Sequence, residues 1–288
     1  MSKAYPFELL NRHIDVKIHK ERIKTIKPEK PSKEVTMSQL NDKTVLVTGG
    51  SRGFGRGIVE ALATEGATVY ALARDAGRLD QLKREVKGVQ TYSADVADPQ
   101  VAPRVLREIR PDILVLNAGA RPPVLPIQEQ SWEQFCSNWE TDVKATFHFG
   151  KEVLLMPMTP GSVVMIVSSR AALAGQIQLA SPYAGAKRTQ WFLAQYFQEA
   201  ANAMKLGIRF VVVVPRLSDR TELGHASLAA FAAREGASEQ AYLERFGVPL
   251  TPAMVGHGVV NILTDTTYQD GLAFGFSNEG LLQSLNGA

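Results

Sequence analysis

Cysteine is almost missing from this sequence: Cys136 is the one thiol in 288 residues. That excludes an internal disulfide framework and a cysteine-only metal cage. Cys136 itself reads as a small buried hydrophobe on a helix. No apolar run is long enough to span a bilayer, and the N-terminus lacks the apolar core and small-residue cleavage site of a secretory leader. The expectation is a cytoplasmic protein with no membrane partner. Charge of one sign is also scarce. Residues 1–36 hold nine Lys/Arg and five Asp/Glu, a net +4, and the remainder holds 23 against 24, a net −1. So balanced a body has no basic excess for nucleic acid. His225 and His257 stand apart from any acidic cluster, so no metal is expected.

What is present is ordinary globular composition, 45% hydrophobic and 21% charged, enough for one large core. Residues 1–36 differ from the rest: they read as a basic N-terminal extension or arm whose lysine-rich half, Lys27–Glu34, is solvated. Met37 opens a stretch that reads as the start of a single domain, 37–288. There, short apolar runs alternate with helical patterns. Strands are expected at Thr44–Thr48, Thr68–Ala73, Val89–Ser93, Asp112–Leu116, Ser162–Ser168, Ile208–Val214 and Leu272–Phe276. Helices are expected at Arg56–Glu65, Arg78–Val86, Val101–Ile109, Trp132–Met156 and Pro182–Lys205. The strand runs are continuous rather than alternating, so both sheet faces are covered. Repeated βα units of this kind define the fold class as α/β, a doubly wound parallel sheet of Rossmann type.

The first strand runs into Thr48, Gly49, Gly50, Ser51, Arg52, Gly53, Phe54 and Gly55, and a helix follows at once. Glycines there let backbone N–H groups approach a pyrophosphate at a helix N-terminus. The spacing is TGxxxGxG, not GxGxxG. A merely tight βα turn would look the same, but the position between the first strand and first helix favours a dinucleotide. An NAD site would place an acid at the end of the second strand. Ala73 stands there instead, followed by Arg74. A guanidinium binds a 2′-phosphate that a carboxylate would repel, and Arg52 in the loop is placed to close on the same group. Unless both arginines are plain surface charges, the cofactor is NADP(H). Asp95 and Val96, after the third strand, suit the adenine edge and face.

Tyr183 and Lys187, four apart, share one face of the helix that opens near Pro182. An ammonium beside a phenol favours the phenolate, so such a tyrosine can exchange a proton near neutral pH. Ser169, after the fifth strand, is placed to hydrogen-bond the reacting oxygen. YxxxK alone is a common chance match; here the glycine loop, Asn117, Ala118 and Gly119 after strand four, Ser169 and YxxxK come in order. From about residue 43 to 280 the chain resembles the short-chain dehydrogenase/reductase family, in its shorter branch. The resemblance implies that Gly49, Gly53 and Gly55 line the pyrophosphate and that Asn117, Ala118 and Gly119 adjoin the adenine ribose. It implies that Ser169 orients the substrate oxygen, Tyr183 is the general acid or base, and Lys187 holds the nicotinamide ribose. The carboxamide would meet backbone beyond Pro215. Hydride transfer between NADP(H) and a small-molecule carbonyl or alcohol is the implied function, in a homodimer or homotetramer paired through the long helices.

Departures from the family pattern are instructive. Asp142 stands where the family carries Asn, whose backbone carbonyl holds a water on the path from the lysine to solvent. The resemblance thus puts Asp142 in the catalytic set, its added carboxylate near Lys187 being either tolerated or a brake on the effect of Lys187 on Tyr183. Leu116 replaces a frequent Asn. Arg216 follows Pro215 where Gly is usual, with three fates open: a substrate carboxylate, a cofactor phosphate, or solvent. Residues 217–250, with an Ala-rich run and a second helical stretch, Glu239–Phe246, are placed to cover the substrate. Trp132, Trp139 and Trp191 read as packing or subunit contacts. Two other functions compete: a non-catalytic NADP(H)-binding sensor on the same fold, and a scaffold that uses the N-terminal arm.

Overall fold

The computed structural model describes residues 40–173, 179–245 and 247–285. The arm expected over residues 1–36 and the start at Met37 lie outside the described residues, as does Phe246. Each strand is built from the run that the sequence marks: β1 Thr44–Thr48, β2 Thr68–Ala73, β3 Gln90–Ser93, β4 Ile113–Leu116, β5 Val163–Val167, β6 Arg209–Val214 and β7 Ala273–Phe276. An eighth strand, β8 (Leu282–Ser284), was not foreseen and pairs antiparallel with β7. Three residues are too few to show a period. The order β3-β2-β1-β4-β5-β6-β7-β8 is parallel throughout apart from that edge.

Side chains alternate across the sheet, so β1 feeds two apolar layers. Val45 and Val47 join Ile58, Leu62, Val255 and Val259 on one face. Leu46 joins Val105, Phe149, Trp191 and Phe210 on the other. The first layer is closed by α1 (Gly53–Thr64), α2 (Ala76–Glu85) and α9 (Pro252–Thr264), the second by α3 (Val101–Ile109), α5 (Lys144–Leu155) and α6 (Ser181–Ala203). The strand order reverses between β1 and β4, where Thr48 sits beside Leu116. Beyond those carboxyl ends the loops diverge and leave a crevice.

One expected helix is broken. Trp132–Met156 divides into α4 (Trp132–Cys136), a π turn at Trp139–Val143, and α5. Ser131 and Gln134 form a capping box that starts α4. The carbonyl of Asn138 then accepts from the amides of both Asp142 (2.8 Å) and Val143 (3.4 Å), which widens the turn by one residue. That turn buries Asp142 completely. Cys136 ends the short α4 half-buried, not buried as expected. Between β6 and α9 lie α7 (Glu222–Arg234) and α8 (Glu239–Glu244). Leu228, Phe231, Ala232 and Tyr242 from this pair form a third apolar cluster with Leu179 and Ala180.

Candidate active site

The crevice is a cavity of about 770 Å³. At one end is the glycine loop. Gly49 and Gly53 have φ of +65° and +54°, a left-handed conformation that other residues adopt at a cost. Gly49 also presses on Ala118, whose Cα would lie 2.8 Å from an added Cβ. Ser51, Arg52, Gly53 and Phe54 line the cavity with it. Gly55 does not: it lies behind the loop, where a Cβ would come within 2.2 Å of the Gly49 carbonyl oxygen. It therefore permits the loop instead of lining it. Asn117 locks the same loop, donating from Nδ2 to the carbonyls of Thr48 and Gly49, each at 3.2 Å. Thr48 Oγ1 accepts from the amides of Asn117 and Ala118. Helix α1 starts three residues earlier than the sequence pattern indicated. Its N-terminus has no side-chain cap and no acid in the first turn, so its amides are left for an anion.

Beside the loop stands a group of arginines. Arg74 is largely exposed and only loosely paired with Asp95, at 3.7 Å. Arg52 binds Glu222 at 2.6 Å, and Arg78 binds the other oxygen of the same carboxylate at 2.5 Å. Arg78 hydrogen bonding holds the Glu222 carboxyl below its usual range, with Arg52 adding to the effect. Neither Arg78 nor Glu222 was singled out from sequence; they lie 144 residues apart, and no local signal joins them. Val96 is buried and lines the same end as Asp95.

At the other end, β5 delivers Ser169 and α6 delivers Tyr183 and Lys187 to the wall; Pro215 follows β6. Ser169 Oγ accepts from the Ala171 amide at 3.2 Å, which leaves its proton free to donate. Lys187 is buried. Its Nζ donates to the Val167 carbonyl (3.1 Å) and to Gln190 Oε1 (2.9 Å), and pairs with Asp142 Oδ2 at 3.3 Å. It lies 5.6 Å from the centroid of the Tyr183 ring. Asp142 Oδ1 accepts from the Ala120 amide. The Asp142 carbonyl accepts from Thr146 Oγ1 and Gln190 Nε2. Gln190 and Thr146, fully buried and missed from sequence, thus complete a closed polar cluster around the lysine. Asp142 touches Lys187 but not the cavity wall.

Arg216 does not point to solvent, one of its three expected fates, and it lines the cavity. It is 2% exposed and donates to the main-chain carbonyls of Val248 (2.5 Å) and Ser277 (3.2 Å). Those carbonyls come from two other segments and hold the guanidinium at Nε and Nη2. Burial holds it below its ordinary pKa, and Arg170 pushes the same way. Trp191 is buried as a packing residue, whereas Trp132 is 72% exposed.

Comparison with known proteins agrees with this fold. The family model described as short chain dehydrogenase matches residues 43–230. Human L-xylulose reductase is 33% identical over 132 residues, 45% of this chain and 54% of that protein. The chain thus spans about half the length of the xylulose reductases it matches. Rabbit (Oryctolagus cuniculus) L-fucose dehydrogenase is 29% identical over 241 residues, 80% of this chain and 82% of that one. A short chain dehydrogenase from Shigella flexneri, solved in complex with NADP, superposes with a TM-score of 0.69 at 22% identity, over 84% of this chain and 99% of that chain. With the family model spanning the glycine loop, Ser169, Tyr183 and Lys187, the chain belongs to the short chain dehydrogenase family.

Proposed function

We propose that this chain is an NADP(H)-dependent oxidoreductase acting on a small carbonyl or alcohol, with Tyr183 as general acid or base. The observation that carries the reading is a single cavity walled at one end by an uncapped helix N-terminus and arginines, and at the other by Ser169, Tyr183 and Lys187. The residues fit a dinucleotide phosphate: positive φ at Gly49 and Gly53 opens the loop, and the first turn of α1 carries no acid of its own. The NADP held by the Shigella relative supports the same cofactor. When bound, the nicotinamide supplies or takes the hydride.

The protein supplies the rest. Ser169 Oγ donates a hydrogen bond to the substrate oxygen and fixes its position. The Tyr183 hydroxyl gives that oxygen a proton in reduction and receives it in oxidation. Lys187 keeps its ammonium close to the Tyr183 ring because three buried partners hold it there. Helices α7 and α8, within the segment 217–250, cover the site and exclude water. The catalytic domain is 37–288. Phe147, Phe192 and Tyr196, exposed on α5 and α6, support pairing of two copies through those helices. No described helix is long and apolar enough to cross a membrane.

A sensor that binds NADP(H) without turnover is favoured by one observation: Asp142 gives Lys187 a buried counter-charge. Oxidation of NADPH and NADH against a panel of ketones, aldehydes and quinones separates the two. The enzyme reading expects turnover that Tyr183→Phe lowers by about 10²–10⁴ with NADPH affinity kept. Tight NADPH binding with no turnover on any substrate supports the sensor instead.

A further inference from the structure

Glu222 is the first residue of α7, after Thr221, whose side chain caps the helix. It reaches back across the cavity mouth to the glycine loop and to α2. One carboxylate there grips Arg52 and Arg78 together. Arg74 completes the group on the cavity wall. Three guanidiniums gathered at one end of a dinucleotide site form a cradle for a dianion. In this structure a side chain from the cover provides part of that negative charge. Asp75 and Asp95 are the other carboxylates of the group, and they engage Arg78 and Arg74.

We infer that Glu222 is a specificity-determining residue, an internal counter-anion that occupies the arginines of the 2′-phosphate site and yields them when a 2′-phosphorylated nucleotide binds. The inference rests on the NADP(H) reading above. Two features make the exchange feasible. All three side chains are half-exposed, at 54%, 40% and 57% for Arg52, Arg78 and Glu222, so water screens the carboxylate bonds and they break readily. A phosphate brings more charge and more acceptor oxygens than a carboxylate. A nucleotide with a free 2′-hydroxyl has no dianion with which to displace Glu222, so its binding leaves the carboxylate in place. Because Glu222 begins α7, the same exchange frees the start of the cover from the glycine loop.

The test measures dissociation constants of NADPH and NADH by fluorescence titration for the wild type, Glu222→Gln and Arg78→Gln. Adenosine 2′,5′-bisphosphate and 5′-AMP serve as calorimetric probes without a nicotinamide. Glu222→Gln is expected to tighten NADPH and the bisphosphate by about fivefold, the ceiling for an exposed ion pair. NADH and 5′-AMP are expected to move by less than about twofold on the same scale. Arg78→Gln is expected to weaken only the 2′-phosphorylated ligands. A wild type that prefers NADPH, with a preference that Glu222→Gln leaves unchanged, overturns the role of Glu222 and keeps the NADP(H) reading. A wild type that binds NADH as tightly as NADPH overturns both.

Discussion

Replacing Asp142 with Asn exposes how much the buried ion pair contributes. The carboxylate and the Lys187 ammonium lie 3.3 Å apart at 0% and 5% side-chain exposure. At an effective dielectric of about 20 their attraction is about 5 kcal/mol. Removing one member of such a pair leaves the other charge buried without a counter-ion, which costs about 3–5 kcal/mol. Asn retains an oxygen for the Ala120 amide, and Lys187 keeps Val167 and Gln190. The loss should therefore fall near the low end, about 3 kcal/mol. For a domain of this size that lowers Tm by about 6–12 °C. Urea unfolding of the apoprotein, followed by far-UV circular dichroism, measures it. Lys187→Met is expected to cost a similar amount, and the double variant clearly less than the two combined. An Asp142→Asn protein within about 0.5 kcal/mol of wild type, or costs that simply add, would refute the pairing argument.

Arg216→Met should destabilise by about 2–3 kcal/mol, because the carbonyls of Val248 and Ser277 lose their donor, and Arg216→Lys, which lacks the fork, should recover less than half; thermal melts read both, and an unperturbed Met variant counts against the carbonyl bonds. Gly55→Ala should weaken NADPH binding and cost about 1–3 kcal/mol, since the added Cβ meets the Gly49 carbonyl; unchanged affinity would show that the loop yields. Burial holds His148 below its ordinary pKa, with Lys144 and Lys151 adding to the effect. The folded protein therefore takes up the proton later than the unfolded chain, and stability should fall as pH drops below the unfolded value of about 6.5; His148→Gln should flatten that slope in urea titrations between about pH 7 and 5. Phe192→Asp with Tyr196→Glu should convert an oligomer to monomers in light scattering, and an unchanged mass would place the subunit contact elsewhere.

The alternation of strand and helix was legible because parallel strands are buried on both faces: runs such as Val45–Val47 and Val211–Val214 have no other use. The glycine loop was legible because two of its glycines are needed by local backbone geometry. The π turn was not. It depends on Asn138, whose Nδ2 donates to the Ala120 carbonyl, a contact that no window along the chain reveals. Asp142 was noticed as a departure, yet its setting was hidden: Gln190 reaches it from 48 residues away. Three fates stayed open for Arg216 because its acceptors lie 32 and 61 residues distant. Local pattern thus pointed to side chains that the fold brings to one cavity wall, while the partners that hold them came from folding.

The third apolar cluster is separate from the two that sandwich the sheet. Leu228, Phe231 and Tyr242 pack on Leu179 and Ala180, with Tyr183 at their edge. So small a cluster forms a cooperative unit of its own, able to open at a fraction of the global unfolding free energy. Amides of α7 and α8 should then exchange with solvent long before those of β1, β4 and β5. On warming, the cover should melt as a sub-domain and take activity with it while the sheet's signal persists. The temperature at which the cover opens should then be set by four buried side chains on α7 and α8 and the two they pack on, not by the large core beneath it.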